Sequence, residues 1–174
     1  MKLLLALSYW CLWGAGALAG GGGPTESEVR FQIVNAGLAV EGSFSGVEAT
    51  IRFDPAHPEL AHIRATAPVR TVQTGISLRD QHLQKPDYFD AEKYPAIVLV
   101  SKTIRKTGPD RYEGVFTLTI KGITREVSLP FTVSATHEFR GQLRLNRLDF
   151  DLGKPSLVLS NEVAVGIRLV EGRG

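Results

Sequence analysis

Along most of the chain apolar and polar residues alternate with a period of two, the spacing of a β-strand with one face in the core and the other in water. Phe31 and Ile33 open the pattern; Leu38, Val40 and Phe44 follow, then Ala49, Ile51 and Phe53 set against Thr50, Arg52 and Asp54. It continues as Ile63, Ala65, Ala67 and Val69 opposite His62, Arg64 and Thr66, and again as Phe116, Leu118 and Ile120 opposite Thr117, Thr119 and Lys121. Arg125, Val127, Leu129, Phe131 and Val133 make a further face, followed by Leu143 and Leu145 and by Val163, Val165, Ile167 and Leu169. Alternation this regular predicts antiparallel strands, roughly seven to nine of them. Turn signals at Asp54-Pro55, Gly108-Pro109-Asp110, Lys121-Gly122 and Gly153-Lys154-Pro155 join them in sequence.

Pro68 and Pro130 fall inside strand-like runs, where a missing N–H predicts an edge position or a bulge with a local kink. One stretch breaks the rhythm. From Gly75 to Lys85 the residues Ile76, Arg79 and Leu83 share a helical face and Pro86 stops it, so a single short helix is expected near residues 76–85. An all-β chain with no helix long enough for parallel crossovers leaves a sandwich or a closed antiparallel barrel, and closure removes exposed strand edges. The helix would lie across one mouth.

The amino terminus has another character. Met1-Lys2 precedes an apolar run from Leu3 to Leu18 that ends in Ala17-Leu18-Ala19, the pattern of a cleaved export signal. The competing reading, a membrane anchor, needs about 20 apolar residues and a basic flank; the run is short and has no such flank. Residues 1–19 are therefore expected to be a signal peptide, 20–28 a flexible leader and 29–171 one barrel domain. Such a signal would export the domain from the cytoplasm, to a periplasm or the outside of the cell.

Charge and cysteine content narrow the chemistry. With 20 Lys and Arg against 18 Asp and Glu the chain is nearly balanced, and no basic block is present to track a phosphate backbone, which argues against nucleic acid. The one cysteine, Cys11, lies in the expected signal, so the mature domain would hold no disulfide, thiolate metal site or cysteine nucleophile. No pair among the 4 histidines, His57, His62, His82 and His137, has the spacing of a zinc or iron site. No nucleophile elbow or phosphate loop occurs.

Arg79-Asp80-Gln81-His82 is the strongest cluster of proton-transfer residues. On a helix Asp80 and His82 would face different ways. An ion pair and a capping contact that fix the helix to the barrel explain the cluster better, so Arg79, Asp80 and His82 are assigned to the helix and the mouth. Six phenylalanines, Phe31, Phe44, Phe53, Phe116, Phe131 and Phe150, are expected on separate strands facing inward. An eight-stranded barrel either fills its interior with side chains or leaves room for one small ligand, and alternation does not separate the two.

Further residues carry a resemblance. Thr74-Gly75, Arg79-Asp80, His82-Leu83, Asp87-Tyr88-Phe89-Asp90 and Lys93-Tyr94-Pro95, in that order, resemble the most characteristic stretch of the YceI-like family. Gly42-Ser43-Phe44, Phe53-Asp54-Pro55, Ser101-Lys102-Thr103, Leu118 to Thr124, Asn146 to Phe150 and Asn161-Glu162-Val163 match as well, so the likeness runs from about Val29 to Leu169. It implies a lipocalin-like eight-stranded barrel with a small helix, exported to the periplasm, that binds polyisoprenoid chains such as quinone tails and has no catalytic activity. Asn35 stands where the family often has a histidine, and Asp151 where it has a glycine.

The leading expectation is a carrier for a long apolar lipid, an isoprenoid or a quinone, with no resident cofactor, metal or catalytic residue. Phe31, Ile33, Phe44, Ile51, Phe53, Leu99, Phe116, Leu118, Val127, Leu129 and Phe131 are expected to line its pocket, and membrane proteins are candidate donors or acceptors of the cargo. Two alternatives stay open. A packed barrel could serve as a protein-interaction module, or Asp80 and His82 could converge to act on a lipid or quinone.

Overall fold

The computed structural model describes residues 27–170; the expected signal, Cys11, most of the leader and residue 171 lie outside them. The strands are β1 Ser27–Asn35, β2 Leu38–Arg52, β3 His62–Pro68, β4 Ala96–Gly108, β5 Arg111–Ile120, β6 Ile123–Val133, β7 Glu138–Asn146 and β8 Leu159–Val170. They form one closed barrel in sequence order, every pairing antiparallel, with β8 returning to β1. The helix α1 spans Ser77–Leu83, inside the expected 76–85.

Strand boundaries follow the phase of the apolar pattern. Leu38, Val40 and Phe44 occupy even positions, whereas Val47, Ala49 and Ile51 occupy odd ones, yet both sets belong to the single strand β2. The register against β1 slips between Ser27–Val47 and Val29–Phe44. Gly46, at φ 63°, absorbs the extra residue in a left-handed conformation that glycine adopts without strain. The bulge thus keeps both Phe44 and Val47 buried. Strand β4 uses the same device: a slip between Ser101 and Thr103 brings Leu99 and Ile104 to the inside together.

Two expectations are corrected. Phe150 is buried, but on a 3-10 turn over Arg147–Phe150 rather than on a strand; this turn ends at Asp151 in the left-handed region, φ 52°, a conformation that glycine adopts without strain. Pro130 causes no break in the β5–β6 register, which is continuous from Arg111–Thr132 to Ile120–Ile123. It immediately precedes the first β6–β7 pair, Phe131 with Gly141, while Pro68 closes β3.

The barrel interior divides along its axis. At one end Phe53, Tyr112, Phe116, Phe131 and Phe139 interlock. Phe53 meets Tyr112 and Phe139 edge-on at 5.0 and 5.2 Å between centroids, and Phe131 stacks on Tyr112 at 5.5 Å. Rings of this size, offset-stacked and edge-to-face, pack the interior at this end, and none of the five borders the cavity at the other. At the other end stand the β1–β2 hairpin, α1, and the β7–β8 connection, and there the interior stays open.

Candidate lipid-binding cavity

The open half holds a cavity of about 540 Å³, within the range of small-molecule sites, about 300–1,000 Å³. Every strand except β6 contributes to its wall. Ala65, Ala67, Ile97, Leu99, Leu118 and Ile120 form one side; Leu143, Leu145, Val163, Val165 and Ile167 form the other; Val29, Phe31, Ile33, Val40, Phe44 and Val47 close the ring. Apart from Phe31 and Phe44 these side chains are aliphatic and smaller than the rings at the plugged end, and the space they leave is the cavity. Phe31 lies flat on the neighbouring strand, which demands a glycine opposite: a Cβ at Gly42 would sit 2.2 Å from the ring.

The cover is built from the segment between β3 and β4. Its base is closed by the Val69 N–H, which donates to the Pro95 carbonyl at 2.8 Å. Gln73 exchanges backbone hydrogen bonds with Ser43 of β2, and Gly153 N–H donates to the Asp87 carbonyl at 2.8 Å. The cover is thereby tied to both sides of the mouth. Ile76, Leu78, Leu83, Tyr88 and Phe89 face the cavity from it, and Phe89 meets Phe44 edge-on at 5.7 Å.

Arg79 and Asp80 both meet on Thr74. Asp80 Oδ1 accepts from the Thr74 backbone N–H at 2.8 Å and from its hydroxyl. The Arg79 guanidinium donates to the Thr74 hydroxyl and carbonyl, both at 2.7 Å. His82 turns the other way, to Asp87 at 2.9 Å. That hydrogen bond is the main reason the Asp87 carboxyl is held below its ordinary value of 3.8; its own backbone amide and the charges of His82 and Lys121 add to the effect, against some desolvation. Asp80 and His82 therefore have separate partners and do not form a proton-transfer pair. Arg79 and His82 border the cavity.

Arg147 is the only charged side chain buried among the described residues, at 2% exposure. It donates to the carbonyls of Ser160, Leu152 and Lys154 at 2.9, 2.7 and 2.8 Å and to Asn161 Oδ1 at 3.1 Å. A planar fork of five donors can hold several carbonyls at once. Arg147 so fixes the β7–β8 connection while its edge borders the cavity. Among the described residues no group of three His, Cys, Asp or Glu is placed to hold a metal.

Of the expected liners, Phe31, Ile33, Phe44, Leu99 and Leu118 border the cavity. Ile51, Phe116, Leu129 and Phe131 are core residues outside its wall, and Phe53 and Val127 pack against that core. The correction has a simple cause. Inward-facing residues sit at every level of the barrel, and these six lie on β6 or towards the plugged end. Sequence reading missed Arg147, the β8 and β7 aliphatics and the two alanines of β3. Small inward residues were the available signal, since Ala65 and Ala67 alternate with polar neighbours yet fill little space.

Residues 23–170 match the YceI-like domain. A UPF0312 protein of Pseudomonas savastanoi pv. phaseolicola is 28% identical over 137 residues, covering 73% of this chain and 71% of that one. The crystal structure of Burkholderia cenocepacia BcnA superimposes with a TM-score of 0.80 at 29% identity, over 84% of this chain and 96% of that chain. A polyisoprenoid binding domain from Saccharophagus degradans, implicated in plant cell wall breakdown, shares the fold at a TM-score of 0.62 and 16% identity, over 83% of this chain and 92% of that chain. The closed barrel, its α1 cover and a family match spanning every described residue make this chain a member of the YceI-like family.

Proposed function

We propose that the protein holds a long apolar lipid of the polyisoprenoid class, either a free isoprenoid or the tail of a quinone, inside its barrel and carries it without altering it. The observation that carries this reading is the apolar cavity of about 540 Å³ under α1. Each methylene moved from water into such a wall contributes about 0.8 kcal/mol, so affinity for a tail needs no catalytic group. The fold shared with a polyisoprenoid binding domain supports the choice of ligand class. The Leu3–Leu18 run with its Ala17-Leu18-Ala19 ending supports a site of action in the periplasm or beyond the cell. Membrane-bound enzymes that make or consume isoprenoids would be donors and acceptors.

The alternatives fare less well. A packed interaction module would lack a cavity of this size, and catalysis through Asp80 and His82 would need them to share a target. Organic extraction of protein purified from its own host, followed by mass spectrometry, tests the proposal. An isoprenoid or quinone near one mole per mole of protein is expected; a clean extract, together with no uptake of added ubiquinone, overturns it.

A further inference from the structure

The two ends of the barrel differ on the outside as well as within. Eight large apolar side chains are exposed among the described residues, and six of them, Val34, Leu38, Ile76, Leu78, Leu157 and Val158, stand beside the open mouth with exposures from 45% to 106%. They come from three segments that are far apart in sequence: 33–40 around the β1–β2 hairpin, 71–78 leading into α1, and 155–161 before β8. Not one Asp, Glu, Lys or Arg occurs in any of the three, in a chain that is 22% charged.

The segments are physically joined. Ala36 N–H donates to the Val158 carbonyl at 2.7 Å, and Gln73 pairs with Ser43 on the strand that leaves the hairpin. The patch is also continuous with the interior, because Ile76, Leu78 and Leu159 border the cavity. At the plugged end the connections are polar instead: Asp54, His57 and Glu59 after β2, Asp110 after β4, His137 before β7. A monomer rarely leaves a contiguous apolar patch in water unless something covers it.

We infer that this uncharged side of the mouth docks on a lipid bilayer, its apolar side chains entering the interfacial layer so that the cavity opens onto the acyl region. The inference rests on the proposed lipid-holding function, since a bilayer is where such a cargo is exchanged. Among the described residues no helix is long and apolar enough to cross a membrane; the geometry is that of a surface-seated module, held by shallow apolar burial. β1 begins at Ser27, at the opposite, plugged end, so the patch surrounds the far end of that strand.

Flotation with vesicles of phosphatidylethanolamine and phosphatidylglycerol tests it, using wild type, the double variant Leu38→Glu/Leu157→Glu and the control Leu60→Glu. Leu38 and Leu157 do not line the cavity, and Leu60, equally exposed, lies at the plugged end. The double variant is expected to float about tenfold less than wild type, Leu60→Glu as wild type does, and high salt to leave wild-type flotation intact because apolar burial is not screened. No flotation of wild type, equal flotation of the double variant, or loss in salt overturns the inference. So does a wild-type dimer in light scattering that the double variant converts to monomer without any change in flotation, which would assign the patch to a second copy. Solvent extracts of the same samples separate the two ideas: cargo retained without flotation removes docking alone, and flotation with an empty cavity removes the cargo alone.

Discussion

The same eight strands build a plug at one end of the barrel and a cavity at the other, with one backbone closure throughout. Towards the plug the inward positions carry rings: Phe53 on the chain just past β2, Tyr112 and Phe116 on β5, Phe131 on β6 and Phe139 on β7. Towards the mouth β5 carries Leu118 and Ile120 and β7 carries Leu143 and Leu145, beside Ala65 and Ala67 of β3, Ile97 and Leu99 of β4 and Val163 and Val165 of β8. Barrel diameter is fixed by strand number and shear, so the volume of the inward side chain decides locally between a solid and a hollow interior. Stability belongs to the first half and capacity to the second.

The sharpest way to break that division is to hollow the plug. Phe131 touches Tyr112, Phe116 and Phe139, so Phe131→Ala is expected to cost about 3–5 kcal/mol of stability, the range for a buried aromatic truncation. Urea unfolding measures it. Leu99→Ala, on the cavity wall, is expected to cost less, because a residue beside an existing void has fewer contacts to lose. Equal losses would mean that the two halves share one continuous core.

The cover at the mouth gives the next effect. Arg147→Met removes four hydrogen bonds from a charged donor and leaves carbonyls at Leu152, Lys154 and Ser160 without that partner, for an expected loss of about 2–3 kcal/mol. Hydrogen exchange should then rise over residues 152–161 while the plugged end stays protected. Uniform deprotection would refute the role of Arg147 as a local clasp.

Filling the hollow should affect binding more than folding. Ala65→Phe projects a ring into the cavity opposite the aliphatic wall, and uptake of ubiquinone is expected to fall about tenfold, equivalent to about 1.4 kcal/mol. The midpoint of unfolding should move little if the ring takes up empty space. Unchanged uptake would place the ligand outside the barrel.

How far these halves were legible in the sequence depends on the residue. Alternation located most strands and the inward faces, because each face obeys a period of two. It gave no sign of depth along the axis, which is why Phe53, Phe131 and Leu118 looked equivalent although only Leu118 reaches the cavity. The phase change between Phe44 and Val47 encoded the bulge at Gly46 and was readable in principle. Strand β4 opens with the unbroken apolar run Ala96–Val100 and shifts phase at Ser101, so no alternation marked it. Arg147 was invisible for another reason: three of its four acceptors are backbone carbonyls, from the β7–β8 connection and the start of β8, and backbone carbonyls have no signature in side-chain patterns.

The smallest effect tests the polar edge of the cover. His82 and Asp87 are both more than half exposed, at 61% and 54%, so their pairing is screened by water and adds little to folding. It nevertheless leaves a pH signature. The His82 hydrogen bond lowers the Asp87 carboxyl below 3.8 in the folded state, and a group whose folded value is lowered stabilises the native form above its unfolded value. That contribution is present from neutral pH down to the ordinary carboxylate range and is lost as the pH falls through the lowered folded value. His82→Ala should therefore melt slightly below wild type near neutral pH, and the gap should close in acid, below pH 3.8, as Asp87 becomes protonated. A gap that stayed constant across that window would show that His82 acts through its edge-on contact with Tyr88, at 5.2 Å, rather than through Asp87. In that case the cover would owe its seat to packing, as the plug does, and the contrast between the two ends would narrow to side-chain volume alone.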